Sequence, residues 1–216
     1  MPGFYDVMVD VETTGLAPDH SAILQLTAVR FNFREQTVDH DWFHVNLEIP
    51  SNRFWDEGTR AWWVETNPEL LGGILATGIP PEDAMHQFSQ WAAIGPERAH
   101  FWAKPLSFDY PFVQSYCRQF GFKMPYPYYL ARDVRSVIAG MTHDTPPFDD
   151  RTVAFEGVKH NSLFDCLHQI KILFAATAHA RAYLSVHDLS GQPLFNVEKE
   201  SGCSPLEMSG TESPSP

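Results

Sequence analysis

The stretch Met8-Val9-Asp10-Val11-Glu12-Thr13-Thr14-Gly15 decides the fold, because it places two carboxylates in an otherwise apolar run. Residues 5–11 are rich in β-branched and aromatic side chains, which predicts a strand buried on at least one face. Successive side chains of a strand point to opposite faces, so Asp10 and Glu12 share a face with Cα atoms roughly 6.5 Å apart. That spacing suits divalent cations about 3.5–4 Å apart. Taken alone, however, two acids at the end of a strand more often indicate a solvated edge than a metal site.

Length and composition favour one globular domain. The chain has 216 residues, of which 44% are hydrophobic and 13% aromatic, so it can form a large core and is not globally disordered. The formal charge of -12 argues against broad binding to duplex nucleic acid through clustered Lys and Arg. It remains compatible with a nucleic-acid enzyme, because bound Mg²⁺ or Mn²⁺ can neutralise acidic ligands and contact phosphate.

Cysteine usage and hydropathy favour a cytoplasmic protein. Cys117, Cys166 and Cys203 are widely spaced and indicate neither a disulfide framework nor a zinc site. The chain enters its first strand directly, so no signal peptide is expected, and no apolar run reaches the ~20 residues that span a bilayer. Gly, Ser, Pro and Glu dominate near the end, which predicts a domain over residues 1–190 and a disordered tail over residues 191–216.

The order of predicted elements indicates an α/β fold. The first three strands have short links and predict an antiparallel meander over 5–11, 23–33 and 37–45. Residues 50–63 predict a loop followed by a helix. Helix and strand signals then alternate: a helix at 80–95, a strand at 100–103, a helix at 111–120, a strand at 129–133 and a long helix at 161–183. This order predicts a mixed β-sheet flanked by helices.

Three further residues of chemical interest lie later in the chain. Asp109 lies between a strand and a helix, where an aspartate commonly caps the helix or stabilises its dipole. His160 precedes the last long helix and Asp165 lies in its first turn, where a cap or a surface role is again the ordinary interpretation. Helix capping explains each residue singly, but not the combination with Asp10 and Glu12.

The combination Asp10-x-Glu12, Asp109 and His160-x₄-Asp165 resembles the DEDDh branch of the 3′→5′ exonuclease superfamily, the DnaQ-like enzymes of ribonuclease H-like fold. Over roughly residues 4–180 the chain is most similar to bacterial and phage ribonuclease T-like exonucleases. The residues that carry this finer likeness are Thr59, Trp62-Trp63, Phe101-Trp102, Ser107-Phe108, Arg132-Asp133-Val134-Arg135 and Asn161-Ser162-Leu163. Phe164 departs from the pattern, since these relatives often carry an acidic residue there. Because Asp165 keeps the spacing, we expect this change to affect helix packing more than catalysis.

The resemblance implies a 3′→5′ exonuclease that hydrolyses single-stranded DNA or RNA from its 3′ end to nucleoside 5′-monophosphates. Asp10, Glu12, Asp109 and Asp165 would hold two Mg²⁺ or Mn²⁺ ions, and an all-carboxylate set independently favours these ions over zinc. The ions would polarise the phosphate and activate a water. His160 would take the proton of that water as general base.

The resemblance also implies substrate contacts, for Thr13, Thr14, Gly15, Leu16, Trp62 and Phe108. Leu16 would pack against a base, and Gly15 would permit a tight turn and close approach of the substrate. The aromatic members could stack on bases, at about 1–3 kcal/mol for each base. For Trp63, Trp91 and Trp102 core packing is favoured. Phosphate contact and simple solvation are equally open for Lys104 and Lys159.

Two other functions stay open. The first is a non-catalytic nucleic-acid or protein interaction module on the same fold, although such a module has no physical need for four repelling carboxylates. The second is a hydrolase specific for short oligonucleotides, which would share the site and differ in its substrate groove. The sequence does not distinguish DNA from RNA, and it leaves a homodimer open.

Overall fold

A computed structural model of the chain describes residues 3–185 and 187. The predicted tail over residues 191–216, and hence the domain boundary at 190, lies outside the described residues. The elements in chain order are β1 (Asp6–Thr13), β2 (Ile23–Asn32), β3 (Thr37–Val38), β4 (Phe43–Asn46), α1 (Glu57–Thr66), α2 (Pro68–Thr77), α3 (Pro81–Ile94), β5 (His100–Ala103), α4 (Leu106–Gln119), β6 (Arg132–Asp133), α5 (Val134–Met141) and α6 (Ser162–Leu184). In this described part, no helix is both long and apolar enough to cross a membrane.

The strands form one mixed sheet in the order β3-β2-β1-β5-β6, with β4 also paired to β2. The pairs of β2 with β1, β3 and β4 are antiparallel. The pairs of β5 with β1 and β6 are parallel. This topology confirms the predicted mixed α/β fold, with an antiparallel meander followed by strands that alternate with helices. β1 therefore lies between the antiparallel and parallel halves.

Alternation along β1 gives the two faces of the sheet different partners. Val7, Val9 and Val11 are buried in a cluster that includes residues of α3 and α4. Met8 is buried on the opposite face, in a cluster that includes apolar residues of α6. Asp10 and Glu12 have the same parity as Met8, so they also face α6.

Several predicted elements differ from the observed ones. The third predicted strand is divided into β3 and β4, and the strand predicted at 129–133 is only Arg132–Asp133. The apolar run that follows α1 forms α2, which the sequence did not predict because Gly72 and Gly73 weaken its helical pattern. α5 was also missed.

The start of α4 is the difference that concerns function. The sequence suggested a helix from Pro111, because proline is common at a helix start. The helix instead begins at Leu106 and contains Pro111 in its interior, where proline removes one main-chain hydrogen bond. Asp109 therefore lies within the first helical turn and has a fixed direction relative to β1.

Candidate active site

Strand β1 brings the two acids of its C-terminal half against α6. Asp10 is 9% exposed, and its Oδ1 accepts a hydrogen bond from Gln169 Nε2 at 2.7 Å. Glu12 lies near His160 and Asp165, two residues at the start of α6. Both acids therefore lie on the sheet face that α6 covers, and the predicted shared face is observed.

Asp109 reaches the same place from α4. It is 2% exposed, and its Oδ1 accepts a hydrogen bond from the Val11 N–H at 3.0 Å. The parallel ladder between β1 and β5 ends at Met8 and Trp102, which leaves the Val11 N–H free for this bond. Asp109 is not the N-cap of α4, which is Pro105, and the Leu106 N–H donates to Asp133 Oδ2 at 2.8 Å. The capping role expected for an isolated aspartate is therefore not the one observed.

The start of α6 is anchored to the sheet. Asn161 caps the helix through a hydrogen bond from the Leu163 N–H. The Ser162 N–H donates to Gln25 Oε1 at 3.2 Å, and Ser162 Oγ lies 2.6 Å from Thr27 Oγ1. This anchor fixes the helix turn that carries His160 and Asp165.

His160 is not the helix cap, and its backbone has an unusual conformation. Its φ is 63°, in the left-handed region that non-glycine residues adopt infrequently. Its ring packs edge-on against Trp62, with ring centroids 4.8 Å apart. One ligand-type atom each from Glu12, His160 and Asp165 lies within 4.8 Å of the others. The imidazole therefore points into the acidic cluster.

The electrostatics show that the four carboxylates are close together. The pKa of Asp10 is raised well above its ordinary value, mainly by burial and to a smaller extent by the charges of Asp109, Glu12 and Asp165. Burial and the charges of Asp165 and Asp109 do the same to the pKa of Glu12. Burial raises the pKa of Asp109 to about 7, although hydrogen bonds from Val11 and from its own backbone oppose that shift. Burial also raises the pKa of Asp165.

These shifts describe a site that is suited to cations. Carboxylates that are buried beside one another are unfavourable when ionised, unless positive charge is supplied. The donor atoms offered by the four acids are oxygens, which match hard ions such as Mg²⁺ and Mn²⁺. The buried Gln169 Oε1 also has no hydrogen-bond partner among the described residues. The residues present therefore fit the divalent ions that the sequence resemblance implies.

An open cleft of about 430 Å³ adjoins the acids. It is lined by Val11, Glu12, Thr13, Leu16, Asp56, Gly58, Thr59, Trp62, Trp63 and Phe108. Four of the six residues expected at the substrate are in this lining. Leu16 is 78% exposed and Trp62 is 38% exposed, so both offer apolar surface to a ligand.

Thr14 and Gly15 do not line the cleft. Thr14 is fully buried; its hydroxyl donates to the Phe54 carbonyl and accepts from the Ala22 N–H, both at 2.7 Å. A Cβ on Gly15 would lie 2.6 Å from Ser21 Oγ, and the φ of Gly15 is not in the left-handed region. Close packing therefore explains the glycine better than turn geometry does, and both residues support the loop that presents Leu16.

The other singled-out side chains are largely structural. Trp63 and Trp102 are buried and donate to the Thr13 carbonyl and to Asp6 Oδ1, respectively. Lys104 Nζ pairs with Asp150 Oδ2 at 2.6 Å. Phe164 packs against Gly157. Core packing is therefore observed for the two tryptophans, whereas the expectation that Phe164 affects helix packing more than catalysis stays a prediction.

Sequence reasoning missed three polar residues near the site. Gln169 contacts Asp10, while Gln25 and Thr27 hold the start of α6. Gln169 could have been found, because it lies four residues after Asp165 and thus on the same face of a helix. Gln25 and Thr27 carried no comparable signal, since their role depends on a contact across more than a hundred residues.

Solved structures of nucleases resemble this fold. Cell-death related nuclease 4 (CRN-4) aligns with 81% of this chain and 64% of its own, at 17% identity and a TM-score of 0.60. E. coli exonuclease I in complex with a dT13 oligonucleotide aligns with 83% of this chain and 42% of its own, at 12% identity and a TM-score of 0.63. A zinc-bound form of the E. coli exonuclease I–single-stranded DNA complex aligns with 84% and 42%, at 15% identity and a TM-score of 0.60.

This chain spans less than two thirds of each of those structures, and identities this low establish the fold alone. No curated protein matches the sequence significantly. The model of the 3′-5′ exoribonuclease Rv2179c-like domain, however, matches residues 5–177. That match covers most of the chain and contains all four acids and His160. The chain therefore belongs to the family of Rv2179c-like 3′-5′ exoribonuclease domains, which confirms the resemblance to 3′→5′ exonuclease families identified from the sequence.

Proposed function

We propose that this protein is a divalent-metal-dependent 3′→5′ exonuclease that removes nucleoside 5′-monophosphates from single-stranded nucleic acid. One observation carries the proposal: three segments far apart in sequence bring four acids together beside His160 and an open cleft. No element of the fold requires this convergence for stability, because like charges at buried positions oppose folding.

Asp10, Glu12, Asp109 and Asp165 would hold two Mg²⁺ or Mn²⁺ ions. Bound ions of this kind polarise a phosphate, lower the pKa of a water and stabilise the leaving oxygen. The repulsion among the four acids and their oxygen-only donor set support this assignment.

His160 would serve as the general base. Its ring lies beside Glu12 and Asp165 and is held by edge-on packing against Trp62. The imidazole would take a proton from the attacking water while the water oxygen bonds to phosphorus. The bond from phosphorus to the 3′ oxygen would break, which leaves a 3′-hydroxyl on the shortened strand and a 5′-phosphate on the released nucleotide.

The cleft would bind the 3′-terminal nucleotide. Leu16, Trp62 and Phe108 supply apolar surface next to Glu12, and aromatic surfaces of this kind stack on any base. The family description names exoribonucleases, whereas E. coli exonuclease I was crystallised with a DNA oligonucleotide. Because the 2′-hydroxyl distinguishes the two polymers, parallel assays on RNA and DNA of one sequence would identify the preferred substrate.

The test is degradation of a 5′-labelled oligonucleotide with Mn²⁺. The wild-type protein should give a ladder that shortens from the 3′ end, and Asp165→Asn should abolish it. His160→Gln should reduce the rate by about 10²–10⁴-fold while leaving Mn²⁺ binding intact. Glu82→Gln, an exposed change in the first turn of α3, is the control and should leave the ladder unchanged. A ladder that persists in Asp165→Asn would contradict the proposal.

The same assay separates the alternative functions. A hydrolase restricted to short oligonucleotides would cleave dinucleotides to pentanucleotides and leave longer strands intact. An interaction module would bind the strand without shortening it and would show no Mn²⁺ binding by calorimetry.

A further inference from the structure

Gln169 joins α6 to the acid at the centre of the site. It is 7% exposed and lies four residues, or one helical turn, after Asp165. Its Nε2 donates to Asp10 Oδ1 at 2.7 Å, and among the described residues no other side chain donates a hydrogen bond to Asp10. One helix therefore supplies both the acid Asp165 and the amide that holds Asp10 on β1.

The orientation of this amide is decided by chemistry. When Asp10 is ionised, as it would be when it holds a cation, an amide rotated by 180° would place two acceptor oxygens 2.7 Å apart, so the nitrogen faces the carboxylate. The oxygen of the same amide, Oε1, is buried and has no hydrogen-bond partner among the described residues. A buried polar atom without a partner is unfavourable for folding.

The fold gives no reason for this cost. α6 packs on the sheet through apolar residues such as Cys166, Ile170 and Leu173, and the amide of Gln169 is not part of that apolar cluster. The residue that benefits is Asp10, whose carboxylate lies among three other acids and accepts no side-chain hydrogen bond from the described residues except that of Gln169. A neutral amide holds it there without adding a fifth negative charge.

We infer that Gln169 is a positioning residue that holds the Asp10 carboxylate in the orientation required by a divalent cation, and so sets the metal affinity of the site. The inference rests on the proposed metal-dependent function. It assigns to Gln169 no contact with the substrate, so its effect should be confined to metal binding.

The test is Mn²⁺ titration of Gln169→Met by calorimetry. Methionine keeps the side-chain length and removes the donor. We expect the Kd for Mn²⁺ to rise about 10–100-fold, the usual loss when a group that orients a metal ligand is removed. Saturating Mn²⁺ should restore most of kcat, and KM for the oligonucleotide should stay near the wild-type value. Gln169→Asn, which keeps an amide but is one methylene too short, should raise the Kd less, and it carries the test if the methionine variant does not fold.

Thr177→Val is the matched control on the same helix. It removes a buried hydroxyl bonded to the Leu173 carbonyl, eight residues and about 12 Å beyond Gln169. It should shift Tm without changing the Kd for Mn²⁺. If both Gln169 variants bind Mn²⁺ with a Kd within twofold of wild type, the inference about Gln169 is overturned and the proposed function is not. If the wild-type protein binds no Mn²⁺, the proposed function is overturned as well.

Discussion

At the scale of single residues, two buried aspartates of β1 show opposite uses of a carboxylate. Asp6 accepts hydrogen bonds from Trp102 Nε1 at 2.8 Å and from the Phe33 N–H at 3.2 Å, so both of its carboxyl oxygens have donors within the fold. Asp10 has one amide donor and three acidic neighbours. Only the second arrangement needs an external cation, which is why it indicates a site.

This contrast predicts the effect of Asp10→Asn in a chelating buffer. The change removes like-charge repulsion and keeps an acceptor for Gln169, so the free energy of unfolding should increase by on the order of 1 kcal/mol, or roughly 2–4 °C in Tm. Wild type should gain about 2.7 kcal/mol when Mn²⁺ is present at 100 times its Kd, and the variant should lose that gain. Thermal unfolding with and without Mn²⁺ measures both effects.

Asp6→Asn serves as the control on the same strand. It weakens charge-assisted hydrogen bonds without relieving repulsion, so it should lower the free energy of unfolding. If Asp10→Asn destabilised the metal-free protein as Asp6→Asn does, repulsion among the four acids would not be the dominant interaction at Asp10.

At the scale of secondary-structure elements, Asp133 joins the starts of two helices. Its Oδ1 accepts from the Ser136 N–H at 2.8 Å and caps α5, and its Oδ2 accepts from the Leu106 N–H at the start of α4. Partial burial raises the pKa of Asp133, but the hydrogen bonds from Leu106 and Ser136 outweigh it, and the pKa lies below its ordinary value. The same carboxylate thereby positions the turn that carries Phe108 and Asp109.

Asp133→Ala should therefore lower the free energy of unfolding by about 1 kcal/mol at neutral pH, the typical loss of an N-cap. Because the folded-state pKa is depressed, this stabilisation is present above the unfolded value of about 3.9 and is lost as the pH falls through the folded value. The difference between variant and wild type should thus shrink below about pH 4. Urea denaturation at several pH values measures it, with Glu82→Gln as the surface control; a difference that stayed constant down to pH 2 would contradict the role assigned to the carboxylate.

At the scale of the whole molecule, the central position of β1 creates the site. Strand β1 pairs with β2 on one side and β5 on the other, while α6 covers one face. Two later segments of the chain therefore reach the C-terminal end of β1. The first is α4, which follows β5, and the second is the start of α6. In the described part of the chain, every buried apolar side chain lies between Val7 and Ala180.

A chain ending at residue 190 should therefore keep the Tm and the exonuclease activity of the full protein. It retains the described core and all proposed ligands, and it omits only the segment of low hydrophobicity. Thermal unfolding and the oligonucleotide assay would measure the two properties side by side. A large loss of either would show that residues 191–216 contribute to the folded domain.

Local sequence patterns were sufficient to predict the fold class, the alternation that gives Asp10 and Glu12 one face, and the acids and histidine of the candidate site. Those features depend on local rules: the two-residue period of a strand, and the residue types that hold metal or move protons. The sequence did not determine α2, α5 or the true start of α4, because glycine and proline weaken the local helical signal while tertiary packing stabilises the helices.

The polar residues that support the site could be identified only from the three-dimensional arrangement of the chain. The bond from Gln169 to Asp10, the anchor of Ser162 on Gln25 and Thr27, and the link from Asp133 to Leu106 all join segments that are distant in sequence. The three-dimensional arrangement also showed that Gly15 is required by close packing against Ser21, and that Asp109 is directed at β1. Such contacts depend on how strands and helices are placed in space, which a local sequence pattern does not record.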